Sequence, residues 1–214
     1  MAEPLKLCGV ILAAGRSSRM GSEKALLPWP PGTQAQGASR QSLLAASIAA
    51  LKTISEAVVV VAGTNAGALA SEVSAGGAAL VRNPDPDRGQ FSSLQTGLQE
   101  ALARGYGAAV VTPVDCPPLS SATMQRLRTA FEQAIEAGKW AVEPENGGLH
   151  GHPLLAGGKL IDAFLRAPAT SNAREVKQEY RDLIEYVSVP ETLNVDLNTP
   201  GEYRALIARE ILNI

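Results

Sequence analysis

Four short apolar runs rich in β-branched residues punctuate the first half of the chain, at Leu7 to Leu12, Ala57 to Ala62, Ala78 to Val81 and Ala108 to Val114. Their hydrophobicity is continuous rather than alternating, and Gly, Asn, Asp or Pro closes each run. That pattern predicts strands buried on both faces, as in a parallel sheet covered by helices. Between the runs the spacing changes. Gln41 to Thr53 places Leu43, Leu44, Ile48 and Leu51 on one helical face, and Ser92 to Ala103 does the same with Leu94, Leu98 and Leu102. Ser120 to Ala137 opens on the cap candidates Ser120, Ser121 and Thr123 and stops at Gly138, which predicts a third helix. Strands at Trp140 to Glu143 and His152 to Ala156 follow, with helices at Lys159 to Leu165 and Ala173 to Tyr180. The fold class expected from this order is α/β, built from repeated βαβ units.

The stretch PWPPGTQAQGAS, Pro28 to Ser39, has no hydrophobic period and several turn formers, so it is predicted to be a loop. No internal repeat or low-complexity linker interrupts the pattern, and 214 residues fit one ample domain, expected to span 1–214.

Composition narrows the class of function. With 45% hydrophobic and 19% charged residues the chain is expected to fold. A net charge of -2 and the lack of any Lys/Arg stripe argue against nucleic acid as a partner. Two cysteines, Cys8 and Cys116, form neither a disulfide framework nor a CxxC metal site. No run approaches the roughly 20 apolar residues of a membrane span, and the amino end lacks the build of a cleaved leader. A cytoplasmic protein without membrane partners is expected.

The first predicted strand runs into LAAGRSSRMGSEK, small residues with two arginines and then Lys24. Gly and Ala let backbone N–H groups approach an anion, Arg and Lys neutralise it, and open α/β sheets bind ligands at strand carboxyl ends. A reversal of chain direction would by itself also call for glycine. Neither GxGxxG nor GK[ST] is present, which removes the main support for a dinucleotide site or a P-loop. The fourth run ends in Thr112-Pro113-Val114-Asp115-Cys116-Pro117-Pro118, a carboxylate at the tip of an apolar strand. An Asp there suits Mg²⁺, which takes hard oxygen ligands, or else it caps the next helix.

Together these two segments resemble the MobA-like NTP transferases, and within them the molybdenum cofactor cytidylyltransferases. Residues 12–27 look like the family's signature loop, NPDPDRGQFSSL from Asn83 to Leu94 like its nucleotide-and-acceptor loop, and PVDCP like its metal-binding strand end. Gly151-His152-Pro153 and Asn194 to Pro200 match in order. The segment TSNAR, Thr170 to Arg174, departs from the acidic, glycine-containing run of many relatives. The resemblance implies a Rossmann-like three-layer sandwich with a mostly parallel central sheet, of nucleotide-diphospho-sugar transferase type.

It further implies a nucleotide site at Leu12, Ala13, Ala14, Gly15, Arg16, Arg19, Lys24 and Asn83. Lys24, Arg19 and Asp115 would serve catalysis, Asp115 and Asp196 would hold Mg²⁺, and Ser92, Ser93 and His152 would contact the acceptor. The implied substrates are an NTP and a phosphorylated small molecule, with molybdopterin foremost. A phosphate acceptor is already anionic, so no general base is required and the lack of a Ser-His-Asp set is no objection. Ala14 stands where guanylyl-transferring relatives usually carry Gly, and its methyl group favours CTP over GTP. Guanylyl transfer, another phosphorylated acceptor, or a non-catalytic nucleotide- or pterin-binding module are the alternatives.

Overall fold

A computed structural model describes residues 5–15, 23–29, 41–193, 201 and 203. In chain order the elements are β1 (Leu7–Ala13), β2 (Pro28–Trp29), β3 (Gln41–Ser42), α1 (Leu43–Lys52), β4 (Ala57–Ala62), α2 (Ala66–Ala75), β5 (Ala79–Arg82), α3 (Gln90–Ala103), β6 (Ala108–Pro113), α4 (Ser121–Glu136), β7 (Ala141–Asn146), β8 (Leu149–His150), β9 (Leu154–Gly157), α5 (Gly158–Arg166), α6 (Ala173–Glu179) and β10 (Ile184–Ser188). The main sheet has the order β10-β7-β9-β6-β1-β4-β5, with β8 hairpinned onto β7. Strands β5, β4, β1 and β6 are mutually parallel, as are β7 and β10, while β9 runs antiparallel to both neighbours. The expected α/β class and the mostly parallel central sheet are what the structure shows.

Alternation along β1 explains the layers. Leu7, Ile11 and Ala13 face the side packed by Leu44, Ile48, Leu69, Val73, Met124, Leu127 and Phe131, which belong to α1, α2 and α4. Cys8, Val10 and Leu12 face Leu94, Leu98, Leu160, Ile161 and Phe164, from α3 and α5. Both faces of the sheet are thus buried, which is why its strands read as uninterrupted apolar runs. Gly97 lets α3 lie against β1 and β4: a Cβ there would collide with Val10 and Val61.

Several boundaries differ from expectation for identifiable reasons. Gln41 and Ser42 belong to β3, paired with Pro28 and Trp29, and α1 starts at Leu43 with Ser42 accepting from the Ala45 N–H. Helix α2 escaped the periodic reading because AGALASEVSA buries only Leu69 and Val73. The edge strand β10 was also missed; its one well-buried residue, Ile184, gives no alternation to read. Helix α4 begins as expected, with the Ser120 hydroxyl accepting from the Thr123 N–H. Among the described residues no helix is long and apolar enough to cross a membrane.

Candidate active site

The sheet order places β1 between β4 and β6, and the chain leaves β1 towards one side and later returns on the other. Such a reversal opens a crevice at the carboxyl ends of the two strands. Ala13, Ala14 and Gly15 emerge from β1 there, and Val114, Asp115 and Cys116 emerge from β6. The two ends are in register, Leu12 opposite Pro113, and the Val114 N–H extends the pairing to the Leu12 carbonyl at 3.0 Å. Asp115 follows at the tip, half-buried. The cap of α4 is Ser120, so the Asp115 carboxylate is not spent on capping.

Lys24 opens a one-turn 3-10 helix, Lys24–Leu26, whose Ala25 is buried in the core beside α1. A hydrogen bond of 2.8 Å from the Leu43 N–H to the Leu27 carbonyl anchors the segment to the start of α1. This carries the Lys24 ammonium to 3.2 Å from Asp115 Oδ2, with side-chain exposures of 13% and 25%. Two candidate residues far apart in sequence therefore meet at the crevice. Arg16, Arg19 and Asp196, like the rest of Asn194 to Pro200, lie outside the described residues, so the full expected cation and metal set is not described.

Asn83, Ser92 and Ser93, expected to touch nucleotide or acceptor, turn their polar atoms inward. All three are buried, and Asn83 Nδ2 donates to Ser92 Oγ at 2.8 Å and to Ser93 Oγ at 3.0 Å. Asn83 Oδ1 accepts from the Asp85 N–H at 3.0 Å, and Ser92 Oγ donates to the Gly89 carbonyl at 2.7 Å. Their hydrogen-bonding capacity holds the turn between β5 and α3. The physical reason is that α3 begins at Gln90, two residues earlier than expected, which places both serines inside its first turn.

A cavity of about 510 Å³ opens beside the crevice, and Leu12, Arg88, Phe91, His152, Arg174 and Lys177 are among its walls. Lys177 donates to the deeply buried carboxylate of Glu143 on β7. His152 was expected as a donor to an acceptor phosphate. Burial, reinforced by the Lys177 charge, lowers its pKa from 6.5 to about 4, so the imidazole is neutral at physiological pH and is no cation for a phosphate. Its Nδ1 is buried without a hydrogen-bond partner. Among the described residues no group of three or more His, Cys, Asp or Glu gathers as a ready metal cage.

Comparison with known proteins bears directly on this geometry. A family model for the MobA-like NTP transferase domain matches residues 9–183. The chain belongs to this family. Among curated relatives it is 29% identical to a probable molybdenum cofactor guanylyltransferase of Rhodopirellula baltica, over 94% of this chain and 92% of that protein. It is 23% identical to the molybdenum cofactor cytidylyltransferase of Escherichia coli, over 91% and 92%. It is also 31% identical to nicotine blue oxidoreductase of Paenarthrobacter nicotinovorans, over 76% and 74%. Of solved structures, Rv0371c from Mycobacterium tuberculosis aligns over 97% of this chain and all of its own, with a TM-score of 0.75 at 22% identity.

Within this MobA-like chain, the sequence placed Arg88 and Phe91 in the nucleotide-and-acceptor loop without singling them out, and it did not mark Arg174 or Lys177 as cavity residues or Glu143 as the anchor of Lys177. For Glu143 a further signal existed: an acid inside the otherwise apolar run Ala141-Val142-Glu143-Pro144 is costly unless a cation meets it.

Proposed function

We propose that this protein is a Mg²⁺-dependent nucleotidyltransferase that moves CMP from CTP to a phosphorylated pterin, molybdopterin being the foremost acceptor, and releases pyrophosphate. It would work as one domain over 1–214, in the cytoplasm. The observation that supports this reading best is the Lys24–Asp115 pair at the crevice between β1 and β6, bordered by a cation-lined cavity large enough for an acceptor.

An oxygen of the acceptor phosphate attacks the α-phosphorus, the new P–O bond forms as the α,β-bridging bond breaks, and the electron pair leaves on pyrophosphate. Lys24, together with Arg16 and Arg19, would balance charge on the triphosphate and the departing pyrophosphate. The donor chemistry fits a divalent ion: Asp115 offers hard oxygens at a partly exposed strand end, and Asp196 is the second candidate ligand. When bound, Mg²⁺ supplies electrostatic stabilisation of the α-phosphoryl group. Arg88, Arg174 and Lys177 would draw the acceptor phosphate to the cavity, while the neutral His152 adds no charge.

The choice of CTP rests on the Ala14 methyl group. Four relatives carry the guanylyltransferase name against one cytidylyltransferase, which favours GTP, and the oxidoreductase relative favours a redox reading. Pyrophosphate release with each of the four NTPs and molybdopterin separates these. Release with CTP is the expected result. Preference for GTP would make the protein a guanylyltransferase, and no release with any NTP would remove the transferase reading.

A further inference from the structure

We propose that Asn65 is a positioning residue that fixes the nucleotide-binding turn after β1 and thereby sets which base is accepted; this rests on the nucleotidyltransferase reading above. Asn65 occupies the N-cap of α2, where an Asn side chain ordinarily accepts a hydrogen bond from an N–H of the helix's first turn. It makes no such bond. Instead its Nδ2 reaches across to the Ala13 carbonyl at 2.8 Å, 52 positions away, while its Oδ1 accepts from the Gly63 N–H at 3.0 Å. The side chain thus forgoes its local role and rivets the turn after β4 to the turn after β1.

The packing around it is correspondingly tight. A Cβ on Gly63 would sit 2.9 Å from the Ala14 carbonyl oxygen, 3.2 Å from Pro86 Cβ and 3.4 Å from Ala14 Cβ. Three turns meet there: Ala13–Ala14 after β1, Gly63–Asn65 after β4, and the 84–89 turn clasped by Asn83 and Ser92. Nothing lies in the way of Gly63 only because it has no side chain. Ala14 is therefore pinned from its far side, and the backbone that would meet a base has a defined position. Reading a base edge requires such registration, since a shift of about 1 Å in a positioning contact can cost roughly a hundredfold.

The test separates riveting from helix capping. Ser is as good an N-cap as Asn but too short to bridge to Ala13, so Asn65→Ser offers α2 a capping hydroxyl, a bond that Asn65 itself does not make, and removes the rivet. Titration calorimetry with Mg²⁺ and either CTP or GTP, alongside inorganic triphosphate, measures the outcome. The wild type is expected to discriminate between CTP and GTP by at least about tenfold. Asn65→Ser is expected to fold with a cooperative melt, bind triphosphate as the wild type does, and lose most of that discrimination. Unchanged discrimination in Asn65→Ser would overturn the inference, as would a wild type that binds both nucleotides alike. A wild type that binds neither nucleotide would overturn the transferase reading itself. Asn65→Ala, which has neither the rivet nor a capping hydroxyl, should match Asn65→Ser in base discrimination and fall below it only in melting temperature; discrimination retained in the serine variant but lost in the alanine variant would overturn the inference, because a local polar group and not the bridge to Ala13 would then hold the turn.

Discussion

Lys24 Nζ lies 3.2 Å from Asp115 Oδ2, joining the segment after the first strand to the tip of β6. Neither group is sealed from solvent, so the pair is open to exchange partners: the ammonium to a triphosphate and the carboxylate to a metal ion. Both charges stand where the sheet order reverses, which is where an α/β sheet offers backbone and side chains from two strands to one ligand.

Replacing Asp115 with Ala should reduce NMP transfer by roughly 10² to 10³-fold or more while the melting temperature holds, because the proposed metal carboxylate is lost at a partly exposed position. Wild-type turnover in Asp115→Ala at saturating Mg²⁺ would remove the metal site. Lys24→Ala should raise the Kd for the triphosphate; calorimetry showing unchanged affinity, with unchanged rate, would leave Lys24 a surface residue.

Ala14→Gly should shift the ratio of kcat/KM towards GTP by about tenfold to two-hundredfold, the usual range for one methyl group in a binding pocket. Steady-state kinetics with both nucleotides decide the matter. A wild type that already prefers GTP would refute the steric account.

Glu143 and Lys177 should respond unequally to substitution. Glu143 is 2% exposed and Lys177 26%. Lys177→Met leaves a buried carboxylate without its cation and should cost about 3 kcal/mol, whereas Glu143→Gln leaves a lysine that can turn into the cavity and should cost less. Urea denaturation at neutral pH measures both, and equal losses would contradict the asymmetry.

His152 should make the fold acid-sensitive. Its folded pKa is lowered, chiefly by burial, from 6.5 to about 4, so between those values the unfolded chain takes up a proton that the folded imidazole refuses. Stability from this group is complete above pH 6.5 and falls as pH drops towards 4, by at most about 3 kcal/mol. In His152→Gln the urea midpoint should therefore decline less steeply from pH 7 to 4.5 than in the wild type. Parallel declines would show that His152 titrates normally.

Much of the fold was legible because its causes are local. Continuous apolar runs marked β1, β4, β5 and β6 to within about a residue, and the helical periods marked α1, α3 and α4. Helix α2 stayed hidden because it buries only Leu69 and Val73, too narrow a contact to leave an apolar stripe at helical spacing. The family motif likewise lies in one stretch around LAAGRSSRMGSEK, and the family match over residues 9–183 agrees with it.

The sequence by itself therefore determined the α/β class, the order of the first βαβ units and the two segments that form the crevice, since each depends on residues only a few positions apart. Only the tertiary structure decided which of those residues meet. It brought Lys24 to Asp115, set Lys177 on Glu143, drew Asn83 into a clasp with Ser92 and Ser93, and stretched Asn65 across to Ala13. These contacts join elements distant along the chain, and their geometry follows from strand order and from the burial that makes an unpaired polar group costly, neither of which is written in local spacing.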